Sequence, residues 1–142
     1  MSNDYKSLSH CKYLVLYHLV WCPKFRFEVI QEDIGLSLKN IIAGICNKYQ
    51  YEILELEVMP DHIHIFLSAK PTVAPTDIVR TLKSISAIKL FKKYPKLKKF
   101  YTRCGSLWSK GYFVRTIGNV SSHTIKRYIQ NQKHNRRWNY AD

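Results

Sequence analysis

The middle of the chain alternates too regularly to be a helix. In residues 51–59 the apolar Ile53, Leu54, Leu56 and Val58 are set against Glu52, Glu55 and Glu57. That two-residue period belongs to a strand with one face buried. Met59-Pro60-Asp61 turns the chain, and residues 62–68, His-Ile-His-Ile-Phe-Leu-Ser, read as a second strand close enough to pair as a hairpin. A hairpin in mid-chain commits the fold to antiparallel pairing, and its flanks decide the rest. Upstream, residues 13–21 are apolar, rich in β-formers and stopped by Cys22-Pro23, which predicts a buried strand. Residues 31–50 place Ile34, Leu38, Ile41, Ile42 and Ile45 at helical spacing. Downstream, Thr76 is set to cap a helix from Asp77, with Ile78, Leu82, Ile85, Ile88 and Leu90 as its stripe and Pro95 as its limit. Residues 96–105 read as a basic connection, and 107–117 as a short strand or bulged hairpin. Ser121 or Ser122 is placed to cap a last helix over about 121–137. The order β-α-β-β-α-β-α predicts an α+β fold, an antiparallel sheet with helices on one face, related to the ferredoxin-like and RNA-recognition folds.

A length of 142 residues predicts a single domain, 1–142, able to bury a core without disulfides or a structural metal. No segment approaches the roughly 18 uncharged apolar residues of a membrane span. Residues Met1 to Lys12 lack the apolar stretch of a signal peptide, so the expected compartment is the cytoplasm. Cys11, Cys22, Cys46 and Cys104 match no common zinc spacing and are expected to be reduced, small apolar packing residues. Lys and Arg number 23 against 10 Asp and Glu, a net charge of +13. A solvated basic surface is the bland reading, but solubility needs far less charge, and the excess points to a polyanion, nucleic acid first.

His62-Ile63-His64 lies within the second hairpin strand. Side chains alternate there, so both imidazoles share one face while Ile63 and Ile65 take the core face. The histidine face is therefore expected to lie outside the interior. Two neutral imidazoles so placed make half of a divalent-metal site; the competing reading is two incidental surface histidines. Tyr128 and Gln132 stand four apart on the last predicted helix and so stack on one side of it. Ile125, Tyr128, Ile129 and Gln132 also read as a packing stripe, but an amide buried there needs partners. A Gln oxygen can complete a His-His metal site, with the Tyr one turn away as a nucleophile.

At these residues the chain resembles a known family. Asp61-His62-Ile63-His64, Tyr128-Ile129-Gln130-Asn131-Gln132 and Leu107-Trp108-Ser109-Lys110-Gly111-Tyr112-Phe113-Val114-Arg115 are similar to the single-tyrosine HUH transposases of the insertion-sequence-200 type. So are Trp21-Cys22-Pro23-Lys24-Phe25-Arg26, Val58-Met59-Pro60-Asp61-His62 and Ile78-Val79-Arg80-Thr81-Leu82-Lys83-Ser84. The likeness spans roughly residues 10–135 and implies the HUH version of the ferredoxin-like fold. It implies that His62, His64 and Gln132 hold Mg²⁺ or Mn²⁺ and that Tyr128 attacks phosphorus, leaving a 5′-phosphotyrosine and a free 3′-OH. No nucleotide cofactor is expected, because the phosphodiester energy is retained. The implied substrate is single-stranded DNA with a hairpin near each element end. The implied assembly is a homodimer whose active sites are shared, the tyrosine helix of one subunit completing the other's HUH pair. The long basic C-terminal extension of some repeat-associated transposases is not seen, so that branch is not expected.

The basic residues gather where such DNA would be held. Arg80, Lys83, Lys89, Lys92, Lys93, Lys96, Lys98, Lys99 and Arg103 lie close together, and Lys126, Arg127, Lys133, Arg136 and Arg137 surround Tyr128. The candidate DNA contacts are Lys24, Arg26, Arg80, Lys83, Arg115, Lys126 and Arg127. Tyr94, Tyr101, Trp108 and Tyr112 are each candidates to stack on unpaired bases, with a core role as the stronger alternative. Two other functions fit part of the pattern. A non-catalytic nucleic-acid-binding module of ferredoxin-like fold explains the charge but leaves His62, His64, Tyr128 and Gln132 as coincidence. A phosphoesterase with two HxT or HxS motifs would need a second copy that the sequence lacks.

Overall fold

The computed structural model describes residues 5–8 and 11–117, with Cys11 and Lys12 described by backbone alone. The chain runs β1 (Lys6–Leu8), β2 (Cys11–Tyr13), β3 (Leu16–Trp21), α1 (Glu32–Tyr49), β4 (Glu52–Met59), β5 (His62–Ser68), α2 (Pro75–Lys93), α3 (Pro95–Phe100) and β6 (Phe113–Ile117). β1 and β2 pair as a small separate ribbon. The other four strands form one sheet in the order β4-β5-β3-β6, antiparallel at every pairing. The expected α+β architecture is therefore present, with the order of a ferredoxin-like sheet. Tyr17, Leu19, Trp21, Ile63, Ile65 and Leu67 pack in one core cluster with Leu38, Ile42 and Ile45 of α1 and Ile78 and Leu82 of α2, so these helices cover one face. Among the described residues no helix is long and apolar enough to cross a membrane.

The central hairpin pairs Met59 with His62 and Val58 with Ile63. Its first strand carries a bulge between Ile53 and Glu55. The bulge resolves an oddity of the sequence, in which Ile53 and Leu56 fall out of phase. One extra residue lets Ile53, Leu56 and Val58 all reach the helix-side core, while Leu54 turns to the opposite face.

Several expectations need correction. The apolar run 13–21 is two strands, because Tyr13 pairs with Lys6 while the main strand starts at Leu16. Thr76 does not cap α2: Ala74 is the N-cap, Pro75 occupies the first turn, and the Thr76 hydroxyl meets Tyr112 Oη at 3.0 Å. Pro at that position needs no amide partner. Ile88 is not in the buried stripe but 69% exposed. At about 100° per residue it lies across the helix from Val79, Ser86 and Leu90, which are buried instead. The connection 96–105 contains α3, held to the core by Leu97 and Tyr101. Cys22 and Cys46 are buried as expected, but Cys104 is exposed. The helix expected over 121–137 lies outside the described residues.

Candidate active site

The register of β5 puts His62, His64 and Phe66 on the face away from α1 and α2, while Ile63 and Ile65 enter the helix-side core. The shared face of the two histidines is as expected; its exposure is not. His64 is only 2% exposed, and His62 alone is half-buried. β5 is an interior strand flanked by β4 and β3. On this face Leu16 and Phe66 form a second small core, with Leu14, Leu54 and Ile117 packed around it.

A third histidine, which the sequence reading passed over, completes the arrangement. His18 of β3 stands opposite Phe66 and diagonal to His64. Its Nε2 lies 3.3 Å from His64 Nδ1, and the two rings stack 5.5 Å apart. Burial, aided by the Arg115 charge, lowers the His18 pKa to about 4. His18 is thus neutral near pH 7 and able to accept a proton from His64 Nδ1–H. In that tautomer the lone pair of His64 sits on Nε2, the form a metal requires.

His62 is oriented from another side. Its Nδ1–H donates to Asp61 Oδ1 at 2.6 Å, which again leaves Nε2 as the ligand nitrogen. Asp61 Oδ2 accepts in turn from Arg26 Nε at 3.3 Å. Burial pushes the Asp61 carboxyl up, but the hydrogen bond and charge of His62 together with the Arg26 guanidinium outweigh it and hold the group below its ordinary value. The His62 and His64 rings meet edge to face, with centroids 4.7 Å apart. Two neighbouring imidazoles, each with Nδ1 engaged, fit a divalent cation as half of its ligand set. Among the described residues no group of three or more His, Cys, Asp or Glu is placed to hold a metal. Tyr128 and Gln132, and with them Lys126 and Arg127, lie outside the described residues.

The remaining expected DNA contacts divide by what they touch. Arg26 is turned to Asp61, so its guanidinium serves the His62 side of the site. Lys24 Nζ stands 5.6 Å over the Phe25 ring. Arg80 is exposed and makes a solvent-screened pair with Asp77 on the same helix. Lys83 is half-buried, and its ammonium donates to the carbonyls of Ser109 and Gly111, so it ties a loop down. Burial accordingly lowers its pKa. Arg115 is exposed on β6, opposite His18. Lys89, Lys92, Lys93, Lys96, Lys98, Lys99 and Arg103 are all exposed. Of the four aromatic candidates, Tyr101 and Trp108 are buried. Tyr94 is tied through its hydroxyl to Ser37 and to the Asp33 carbonyl, and Tyr112 meets Thr76. Phe25, Phe27 and Phe100 are exposed, and none of them is among the stacking candidates the sequence offered.

The family model for IS200-like transposases matches residues 11–132. The ISDra2 transposase TnpA of Deinococcus radiodurans is 38% identical over 120 residues, 84% of this chain and 85% of that one. The transposase for insertion sequence element IS200 of Salmonella typhimurium is 32% identical over 130 residues, 92% of this chain and 84% of that one. A Deinococcus radiodurans crystal structure described as a transposase superposes with a TM-score of 0.74 at 35% identity, covering 89% of this chain and 97% of that one. A REP-associated tyrosine transposase bound to a REP hairpin shares the fold at a TM-score of 0.55 and 17% identity, over 90% of this chain and 74% of that one. With the family model spanning most of its length and two relatives above 30% identity, the chain belongs to the IS200-like transposase family.

Proposed function

We propose that this transposase cleaves and rejoins single-stranded DNA at insertion-sequence ends through a 5′-phosphotyrosine intermediate. The observation that carries the reading is the His62–His64 pair with both Nδ1 atoms in hydrogen-bond contact, with Asp61 and with His18, an arrangement that leaves both Nε2 atoms for a metal when Nδ1 carries the proton. Mg²⁺ or Mn²⁺ held by His62, His64 and Gln132 would polarise the scissile phosphate and stabilise the departing 3′-oxygen. Tyr128 attacks phosphorus; the P–O3′ bond breaks, and the DNA keeps a 3′-OH and a 5′-phosphotyrosyl link. The same hydroxyl type attacks the aryl phosphate in the return step, so one phosphodiester replaces another and no nucleotide is consumed. In this reading residues 1–142 act as one domain, and a helix over about 121–137 carries Tyr128 and Gln132. The substrate carries hairpins near the element ends, and the assembly is a homodimer. Arg80, Arg115, Lys126 and Arg127 supply phosphate contacts, which give affinity without sequence choice.

The test is Tyr128→Phe, which removes one hydroxyl. Single-stranded DNA binding is expected to persist, while the covalent protein–DNA adduct seen on a denaturing gel with wild type disappears. An undiminished adduct would move the nucleophile elsewhere, and absence of any adduct with the wild-type chain and metal would favour a binding module.

A further inference from the structure

The segment after β3 and the end of α3 together hold three large apolar rings in solvent where folding alone gives no reason for them. Phe25 is 54% exposed, Phe27 44% and Phe100 58%. They form a continuous patch: Phe25 and Phe27 centroids are 5.6 Å apart, and Phe27 meets Phe100 edge to face at 5.5 Å. The backbone under Phe25 is strained. Phe25 and Arg26 have φ of 61° and 54°, a left-handed conformation disfavoured for side chains of this size. It is held in place from several sides. Lys24 N–H donates to the Leu107 carbonyl at 2.7 Å, the Tyr101 hydroxyl donates to the Lys24 carbonyl at 3.1 Å, and Arg26 N–H donates to the Pro23 carbonyl at 2.8 Å. Arg26, between Phe25 and Phe27 in sequence, bonds Asp61 beside His62, so one side chain links the segment that carries these two rings to the candidate metal pair.

The rim of the patch is cationic. Lys24 lies over the Phe25 ring. Lys96 precedes Phe100 by one helical turn, Lys99 adjoins it, Arg103 follows, and all three are exposed. The stretches 23–27 and 95–103 contain no acid, and the nearest one in sequence is the exposed Glu28 that follows Phe27. Exposed aromatic faces edged by cations match the two demands of an unpaired nucleic-acid strand, ring stacking and phosphate neutralisation. We propose that Phe25, Phe27 and Phe100 are a stacking platform for unpaired bases of the DNA strand entering the His62–His64 site, with its phosphates on Lys24, Lys96, Lys99 and Arg103. This rests on the reading that the chain acts on single-stranded DNA. Stacking accepts any base, so the platform holds the strand without choosing its sequence.

The test compares the full chain with Phe25→Ala/Phe100→Ala, using a fluorescent unstructured single strand and a blunt duplex of the same length. Single-strand affinity is expected to fall about tenfold or more, with duplex affinity and melting temperature unchanged. Phe25→Trp/Phe100→Trp should restore single-strand binding. Phe25→Trp alone adds a spectroscopic readout: its indole fluorescence should be quenched by the single strand and not by the duplex. Equal loss on both DNAs, an unquenched indole, or a drop in oligomer mass with intact DNA affinity would each overturn the platform. Adduct formation by the wild-type chain, run in parallel, separates the two readings. An adduct with unchanged affinity in the alanine variant removes the platform alone, whereas no adduct and no single-strand binding in wild type removes both.

Discussion

His62 and His64 present the same ring nitrogen by different means. A buried neutral imidazole, His18, faces the Nδ1 of His64, and a half-buried carboxylate, Asp61, accepts a hydrogen bond from the Nδ1–H of His62. The second arrangement extends outward to Arg26, which makes Arg26 and Asp61 positioning residues with a measurable order of influence. Asp61→Asn should weaken metal binding by about 10–100-fold, the usual cost of losing the partner of a ligating histidine. Arg26→Gln should cost less, because it acts only through Asp61, and should add little in the Asp61→Asn background. Mn²⁺ titration followed by electron paramagnetic resonance reads this directly, and an unchanged affinity in Asp61→Asn would sever the relay. The strand period alone identifies the shared face of His62 and His64. It does not identify His18, because a polar residue within the apolar run of β3 reads equally as a core histidine, and only the pairing of β3 with β5 brings it beside His64. The burial of that face is hidden from the sequence for a related reason. Alternation assigns a side chain to a face, but whether Leu16 and Phe66 cover that face depends on neighbouring strands.

The elements that could be read from the sequence are those with a long apolar period: α1, α2 and the β4–β5 hairpin. α3 has six residues of which only Leu97 is buried, too few for a period to show among its lysines. The loop between α3 and β6 is fixed by polar contacts that hydrophobic patterning cannot register. Trp108 Nε1–H donates to Ser86 Oγ at 3.0 Å inside the core, and the Ser86 hydroxyl donates to the Lys83 carbonyl at 3.2 Å. Lys83 itself reaches across to the same loop. Ser86→Ala should destabilise the chain by about 1–3 kcal/mol, since it strands a buried indole N–H. Adding Trp108→Phe removes the stranded donor, so the double variant should be more stable than the sum of the two single losses predicts. Urea unfolding of the four proteins measures the coupling, and simple additivity would mean that the indole finds another partner.

A net charge of +13 on 142 residues suits a chain that must approach a polyanion and hold it against salt. Its exposed Lys and Arg side chains run along α2 and α3, and α3 ends on Phe100 of the aromatic patch. The proposed nucleophile, Tyr128, lies outside the described residues. If the helix carrying Tyr128 docks on a second copy, each active site is built from two chains, as in a domain exchange. Mixing two inactive proteins tests this. One carries His62→Ala, chosen over the buried His64 because truncating a half-buried ring opens less of the core. The other carries Tyr128→Phe. In a mixed dimer with shared sites, the intact histidine pair of the second protein meets the intact tyrosine of the first at one of the two sites, and cleavage of single-stranded DNA returns there. If each chain builds its own site, every site keeps one lesion and cleavage stays absent. Differently tagged copies must first co-purify, which establishes that mixed dimers form. With mixed dimers in hand, recovery of up to half of the wild-type sites per mixed dimer is expected, and a silent mixture would place Tyr128 beside the histidines of its own chain.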